Sequence, residues 1–314
     1  MMLGLYCSGI FYFRSGEITM KKTVFTGAAS AIITPFDKDG KVDYKAFADL
    51  VEWQIKEGID AIVVCGTTGE ASTLSDEEHR ECISFMVKQV AGRVPVIAGT
   101  GSNCTEYAVD MTKFACEAGA DAVLCVTPYY NKATQKGLIK MYTEIADAST
   151  VPVILYNVPS RTGVNIEPET YAALAEHPNI VGIKEANGNI GKIVETFALC
   201  KDKLDVYSGN DDQIVPIMAL GGKGVISVLS NPMPKETSEL CKLAASGDIK
   251  GAAELQYKYL PFIKALFSEV NPIPVKAAMA HMGYGENVLR SPLCPMEEKN
   301  EAKLVSEMQK LGLI

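Results

Sequence analysis

The chain of 314 residues is long for an average domain but lies within the range of a single α/β barrel. Hydrophobic residues make up 47% and charged residues 22%, ordinary globular values that exclude a disordered or fibrous protein. The net charge of −8 and the isoelectric point near 5.1 argue against nucleic acid and anionic membranes as partners, which leaves small molecules and further copies of the chain.

The N-terminal stretch MMLGLYCSGIFYFRSGEIT (1–19) is apolar and aromatic as far as Arg14. A signal peptide has its positive charge before the apolar run and a small-residue cleavage site after it, which is the reverse of this order. The run is also too short to span a bilayer. Met20, followed by two lysines, resembles a natural start, so we expect residues 1–19 to be an extension outside the fold.

Eight short apolar runs rich in β-branched residues follow, and each is closed by a small or polar cluster. They read FTGAASAIIT (25–34), DAIVVCG (60–66), VPVIAGT (94–100), DAVLCVTP (121–128), VPVILYN (151–157), IVGIKEA (180–186), LDVYSGN (204–210) and GVISVLS (224–230). Helical patterns lie between them, with Asp43 as one N-cap and Ser75 and Glu78 as a capping box. Strand and helix alternating every thirty residues or fewer predict parallel strands joined by right-handed crossovers.

Such units form either an open doubly wound sheet or a closed barrel. A doubly wound sheet usually has a GxGxxG turn after its first strand, and ITPFDKDGKVD (33–43) contains none. Eight units favour the (β/α)8 TIM barrel, which typically has about 250 residues. We therefore predict a catalytic barrel over residues 20–247, followed by three helical stretches over residues 248–314 that pack on it.

The cysteines and histidines show no pattern of a metal or disulfide site. Nine cysteines are scattered from Cys7 to Cys294 without a CxxC pair, and the three histidines lie far apart. This pattern is typical of reduced thiols in a cytoplasmic protein. We expect no metal.

Chemically distinctive residues lie at the ends of the predicted strands, where barrel enzymes build their active sites. Lys184 lies at the end of the sixth predicted strand, in the stretch IVGIKEANGN (180–189). The apolar residues before it predict a strand that is buried on both faces. An ammonium group is expensive to desolvate there. The fifth and sixth strands are expected to be neighbours, so Tyr156 and Lys184 should project into one small space.

These residue types together can perform Schiff-base chemistry. Desolvation lowers the pKa of a lysine toward neutrality, and only the neutral amine attacks a carbonyl. The resulting imine of a keto acid is an electron sink that lets the adjacent carbon lose a proton and act as a nucleophile. Tyr156 can relay those protons. Arg161 offers a planar fork for one carboxylate, and the amides and hydroxyls of Thr67 and Thr68 offer a second carboxylate site.

Each of these features also has an ordinary structural explanation. A lysine at a strand end is usually solvated or salt-bridged, and Glu185 follows Lys184 directly. The GGKG stretch (221–224) is more often a helix stop than a phosphate loop. Adjacent tyrosines such as Tyr129 and Tyr130 are more often packing residues. The placement of all these residues at one barrel rim favours catalysis over a catalytically silent binding barrel.

Six ordered motifs carry a family resemblance: GTTGE, TPYYN, YNVPSRTG, GIKEA, SGND and GGKGVISV. From about Phe25 to the C-terminal helices, the chain resembles the pyruvate-dependent class I aldolase family. That family includes the dihydrodipicolinate synthases, which the chain resembles most, and N-acetylneuraminate lyase. The resemblance implies condensation of pyruvate with L-aspartate 4-semialdehyde to 4-hydroxy-tetrahydrodipicolinate, a step toward lysine and diaminopimelate, through a lysine Schiff base and without a cofactor.

The resemblance also implies residue roles. It assigns the Schiff base to Lys184 and the carboxylate of the incoming aldehyde to Arg161. The implied proton relay consists of three hydroxyl-bearing residues, Thr67, Tyr156 and Tyr130. The implied pyruvate pocket is lined by Thr68, Gly209 and Ile226. In the family Tyr130 reaches in from a neighbouring subunit, and the assembly is typically a homotetramer built from two tight dimers.

Two features help to choose within the family. Relatives that cleave sialic acid bind a polyhydroxylated chain and generally lack an arginine at the position of Arg161. Their counterpart of GTTGE tends to contain serine. Both features favour the synthase, and the alternative is a relative that acts on another aldehyde.

Feedback inhibition by lysine is left open. His79, Asn103 and Tyr129 match polar positions of the family's effector pocket. The acidic position that binds the effector's amine aligns with Tyr107, however, and a second histidine position aligns with Asp76.

Overall fold

The computed structural model describes residues 21–314, so the expectation for residues 1–19 lies outside the described part of the chain. Eight parallel strands pair in chain order and close on themselves, which confirms the predicted (β/α)8 barrel. They are β1 (Gly27–Ala31), β2 (Ala61–Val64), β3 (Val96–Gly99), β4 (Ala122–Val126), β5 (Val153–Asn157), β6 (Ile180–Glu185), β7 (Asp205–Ser208) and β8 (Gly224–Ser227).

Twelve α-helices accompany the strands in the described residues. They are α1 (Tyr44–Lys56), α2 (Asp76–Val90), α3 (Thr105–Ala118), α4 (Gln135–Ala148), α5 (Pro159–Thr162), α6 (Pro168–Leu174), α7 (Ile190–Cys200), α8 (Ile214–Ala219), α9 (Pro234–Ala245), α10 (Ile249–Leu266), α11 (Ile273–His281) and α12 (Glu298–Leu311). The predicted caps of α1 and α2 are confirmed, since Asp43 accepts from two backbone amides and Ser75 forms a capping box with Glu78. No helix of residues 21–314 is both long and apolar enough to cross a membrane.

In the described residues the protein has two apolar cores, one inside the barrel and one between the strands and the surrounding helices. Small and branched side chains such as Ala29, Val63 and Ile154 fill the inside of the barrel and are fully buried. The rings of Phe25 and Tyr207 stack with centroids 4.3 Å apart, and the Tyr207 hydroxyl donates to the Phe25 carbonyl at 2.8 Å. Phe25 precedes β1, so this pair closes the end of the barrel where the strands begin. The opposite end is left for polar residues.

A buried ion pair joins the C-terminal helices to that opposite end. Nζ of Lys276, on α11, lies 2.6 Å from Oε1 of Glu70 in the loop after β2, and both side chains are about 1% exposed. The backbone amide of Arg290 donates to the other oxygen of Glu70 at 3.1 Å, and its guanidinium binds Glu78 on α2 at 2.6 Å. The C-terminal helices therefore pack directly on the loops that carry the site. The domain boundary at residue 247 stays a prediction.

Candidate active site

Lys184 lies at the end of β6, a strand buried along its whole length. Its side chain is only 6% exposed. In the register of the barrel Lys184 pairs with Tyr156 on β5, and Nζ lies 4.3 Å from the centroid of the Tyr156 ring. The two residues therefore share one space, as the neighbouring strands predicted.

The structural explanation of Lys184 as a partner of Glu185 does not hold. Successive side chains of a strand point to opposite faces. The carboxylate of Glu185 accepts from the Tyr171 hydroxyl at 2.8 Å, from Asn157 at 3.1 Å and from the amide of Asn187 at 2.8 Å. Within residues 21–314 no acidic side chain lies within ion-pair distance of Lys184.

The surroundings of Lys184 favour its neutral form. Burial lowers the pKa of Lys184 to about 8, the negative charge of Asp211 opposes this shift, and the positive charge of Arg161 adds to it. At pH 7 roughly one molecule in ten therefore has a neutral amine, against fewer than about one in a thousand for an unperturbed lysine. The site supplies a nucleophile at neutral pH.

Tyr156 and Thr67 form the next part of the site. Burial raises the pKa of the Tyr156 phenol, while the charge of Arg161 and the nearby Thr67 hydroxyl oppose the shift. Both residues line a cavity of about 300 Å³ at the barrel mouth, together with Leu124. A phenol that stays protonated and lies beside Nζ of Lys184 can pass protons to and from a ligand at that lysine.

Thr68 and Arg161 are linked through one further residue, Asn271, which precedes α11. The side-chain amide of Asn271 donates to Oγ1 of Thr68 at 3.0 Å. Nη2 of Arg161, in the last turn of α5, donates to the Asn271 carbonyl at 3.2 Å. Two groups suited to carboxylates are therefore held by the same residue, Asn271.

Gly209 directly follows β7, the strand beside β6, and Ile226 lies on β8, which pairs with β7. The amide of Gly209 donates to the carbonyl of Glu185 at 2.7 Å. A Cβ at position 209 would lie 2.8 Å from Cβ of Ala186 and 3.1 Å from that carbonyl, so only glycine permits this close approach. Ile226, on β8, is 1% exposed and belongs to the interior core. Their assignment to the pyruvate pocket stays a prediction.

Tyr130 does not join this cluster within one chain. Its side chain is 93% exposed, and its backbone has φ of 69°, in the left-handed region that non-glycine residues rarely adopt. The loop therefore projects the phenol into solvent, away from the buried Lys184.

Two of the three expected effector residues line the same cavity as Thr67 and Tyr156, namely His79 and Tyr129. Nε2 of His79 is 2.8 Å from the Gly99 carbonyl, and burial lowers its pKa. Asn103 donates to the Tyr129 carbonyl at 3.1 Å and lies beside the cavity. The two positions that depart from the family pattern pair with each other, since the Tyr107 hydroxyl donates to Asp76 at 3.0 Å.

Sequence reasoning missed several residues at the site. Asp211 is 2% exposed, and its carboxylate accepts from the amides of Val228 and Leu229 at 3.1 and 2.9 Å. Its place at the end of the SGND motif was a signal for it. Asn271 gave no such signal, because its partners Thr68 and Arg161 are 203 and 110 positions earlier in the chain.

Comparisons with known proteins agree with one another. A model of the dihydrodipicolinate synthetase family matches residues 24–311. The 4-hydroxy-tetrahydrodipicolinate synthase of Lachnoclostridium phytofermentans is 56% identical over 292 residues, which cover 93% of this chain and 99% of the relative. The enzyme of the same name from Alkaliphilus oremlandii is 54% identical over 291 residues, covering 93% and 100%. The crystal structure of the chloride-inhibited dihydrodipicolinate synthase from Acinetobacter baumannii, complexed with pyruvate, is 46% identical with a TM-score of 0.91, covering 93% of this chain and 100% of that one.

Proposed function

The chain belongs to the dihydrodipicolinate synthetase family, and we propose that it is a lyase that condenses pyruvate with L-aspartate 4-semialdehyde to 4-hydroxy-tetrahydrodipicolinate. The observation that carries the proposal is a lysine with a lowered pKa, buried at the barrel mouth against Tyr156. Names of relatives more than 50% identical along nearly their whole length support the same substrates. The proposed chemistry uses no metal and no dissociable cofactor.

The first step is imine formation. The neutral amine of Lys184 attacks the keto carbon of pyruvate, and the carbinolamine then loses its oxygen as water to leave a protonated imine. Tyr156 donates the proton that the leaving oxygen needs, and the hydroxyl of Thr67, which lines the same cavity, returns a proton to the phenol. Thr68 donates to the pyruvate carboxylate, which holds the keto carbon close to Nζ.

The second step forms the carbon–carbon bond. The imine withdraws electrons, so the methyl group of pyruvate loses a proton and becomes an enamine carbon. This carbon attacks the aldehyde of the semialdehyde, whose oxygen takes up a proton to become a hydroxyl. The amino group of the same substrate then attacks the imine carbon, closes the ring and releases Lys184.

The proposed role of Arg161 predicts a separation of the two steps. Arg161→Ala should weaken use of the semialdehyde about a hundredfold in kcat/KM, because a charged bidentate contact to its carboxylate is lost. Trapping of the pyruvate imine should change severalfold at most. Steady-state kinetics for each substrate, beside borohydride trapping, measure this. Equal loss of both steps would show that Arg161 is structural.

The pKa of Lys184 predicts the pH dependence of the first step. Imine formation should accelerate about tenfold per pH unit below pH 8 and level off above it, since only the neutral amine reacts. The measurement is the rate constant of adduct formation with saturating pyruvate across neutral and alkaline pH. A rate that keeps rising until about pH 10.4, the value of an unperturbed lysine, would contradict the assigned environment.

Assembly follows from the position of Tyr130. An exposed phenol cannot reach Lys184 of its own chain. We propose that Tyr130 completes the proton relay of a neighbouring subunit, in the homotetramer, a dimer of dimers, that the family resemblance implies. A cytoplasmic location in lysine and diaminopimelate biosynthesis fits this reaction. Control by lysine at His79, Asn103 and Tyr129 stays open.

A direct assay distinguishes this function from its alternatives. Purified protein is mixed with pyruvate and L-aspartate 4-semialdehyde, and consumption of both is followed together with the mass of the product. Equimolar consumption and a cyclic product are expected. In a parallel reaction the protein receives N-acetylneuraminate. Cleavage of that sugar without consumption of the semialdehyde would show that the protein is a lyase of the N-acetylneuraminate type and not the synthase. No reaction in either mixture would favour a catalytically silent binding barrel.

A further inference from the structure

Asn271 connects two loops that are far apart in the sequence. Its side-chain amide donates to Thr68 in the loop after β2, and its backbone carbonyl accepts from Arg161 in the segment after β5. Asn271 itself is 6% exposed. It is therefore a fixed, buried connection between the group assigned to the pyruvate carboxylate and the group assigned to the carboxylate of the aldehyde.

The direction of the hydrogen bond to Thr68 has a chemical consequence. A threonine hydroxyl has one proton to donate and two lone pairs to accept with. The amide of Asn271 occupies a lone pair of Oγ1 and leaves the proton free. A carboxylate can only accept, so Thr68 can serve it only as a donor. Donation from Asn271 thus keeps Thr68 in the one role that binds pyruvate.

The oxygen of the Asn271 side-chain amide supports a role for its NH2 group as a hydrogen-bond donor. Oδ1 of Asn271 is buried and has no hydrogen-bond partner within residues 21–314. A buried acceptor without a partner costs folding free energy, and an apolar side chain of equal size would avoid that cost. The segment is also held rigidly, because Lys276 on the following helix is paired with Glu70 of the Thr68 loop.

We propose that Asn271 is a positioning residue that makes Thr68 a hydrogen-bond donor to the pyruvate carboxylate and, through its backbone carbonyl, fixes Arg161 for the carboxylate of the second substrate. This inference rests on the proposed function. It adds a role for the C-terminal helical region: the segment before α11 sets the spacing between the two carboxylate sites. Asn271 acts through Thr68 and Arg161 and does not itself touch the reacting atoms.

Two variants test the side-chain part of this role. Asn271→Leu keeps the size and removes the donor, so half-saturation of imine trapping should need about tenfold more pyruvate, with the trapping rate at saturation nearly unchanged. Asn271→Asp keeps the shape but can only accept, so it should draw the Thr68 proton away and place a negative charge beside the ligand. Half-saturation of imine trapping in this variant should therefore need about a hundredfold more pyruvate. The aspartate variant tests the same role if the leucine variant does not fold.

The matched control is Asn287→Leu. Asn287 lies in the same C-terminal region and also has a buried Oδ1 without a partner, but within residues 21–314 it has no hydrogen bond to Thr68 or Arg161. Its pyruvate dependence should equal that of the unaltered protein. A double-mutant cycle gives the sharpest comparison, because Asn271→Leu should have little further effect on pyruvate affinity once Thr68 is valine.

The outcomes separate the two claims. Normal pyruvate affinity in Asn271→Asp, or an undiminished effect of Asn271→Leu in the Thr68→Val background, would overturn the role of Asn271 alone. Absence of any trapped adduct in the unaltered protein would overturn the proposed function, and this inference with it. Loss of affinity in both Asn271 variants, coupled to Thr68 and absent in Asn287→Leu, would establish the role.

Discussion

Lys184→Ala is expected to lower turnover by about 10⁴-fold or more while the barrel stays folded. Removing a covalent nucleophile leaves only binding and general polar effects to promote the reaction. The fold should persist because Lys184 has no ion-pair partner in the described residues, and a buried amine contributes a desolvation cost that alanine does not have. The measurement is kcat for semialdehyde consumption, with a thermal unfolding curve recorded on the same sample.

Lys140→Ala is the control for this variant. Its side chain is 79% exposed on α4, so turnover and the unfolding curve should both match those of the unaltered protein. Substantial turnover in Lys184→Ala would remove the Schiff base from the mechanism. An unfolded Lys184→Ala protein would instead show that this residue supports the structure.

Tyr156→Phe is expected to lower kcat by about 10³-fold with the pyruvate site still present. General acid and base catalysis by a positioned side chain typically contributes about 10²–10⁴-fold, and each proton transfer in the proposed sequence passes through this phenol. Phenylalanine keeps the ring that contacts Nζ of Lys184, so packing and the environment of the amine should survive. Rapid-mixing kinetics should show slow imine formation and slow turnover together.

A second buried tyrosine supplies the control. Tyr142 is fully buried on α4, and its hydroxyl donates to the Cys125 carbonyl at 3.3 Å, outside the barrel interior. Tyr142→Phe removes a buried hydroxyl, as Tyr156→Phe does, and its kcat should stay within about twofold of that of the unaltered protein. If Tyr156→Phe and Tyr142→Phe behave alike, the proton relay must be assigned to other groups.

The barrel could be predicted from the sequence because periodicity reports burial. Eight apolar runs at short intervals can only be eight buried parallel strands, and neighbouring strands bring their last residues together. For the same reason the sequence predicts that Tyr156 lies beside Lys184. The same reasoning did not decide between a catalytic lysine and one paired with Glu185. The structure excludes the pairing with Glu185, because the two side chains point to opposite faces of β6 and the Glu185 carboxylate has three hydrogen bonds to other residues.

Contacts between distant loops could not be predicted in this way. Asn271 and Thr68 are 203 positions apart, and Lys276 and Glu70 are 206 apart. The first seven residues of α11 are all buried, so its sequence pattern does not indicate which loop covers which side of the helix. Tyr130 marks the same limit between chains, because one chain shows only that its side chain is exposed.

The most direct test of the central claim is mass spectrometry of the protein after incubation with pyruvate and borohydride. Reduction makes the reversible imine permanent, so the mechanism predicts one reduced pyruvate per chain, located on the peptide that contains Lys184. Omission of either reagent should leave the mass unchanged. A folded protein with no adduct, or with the adduct on another lysine such as Lys276, would contradict the assignment of Lys184 as the nucleophile.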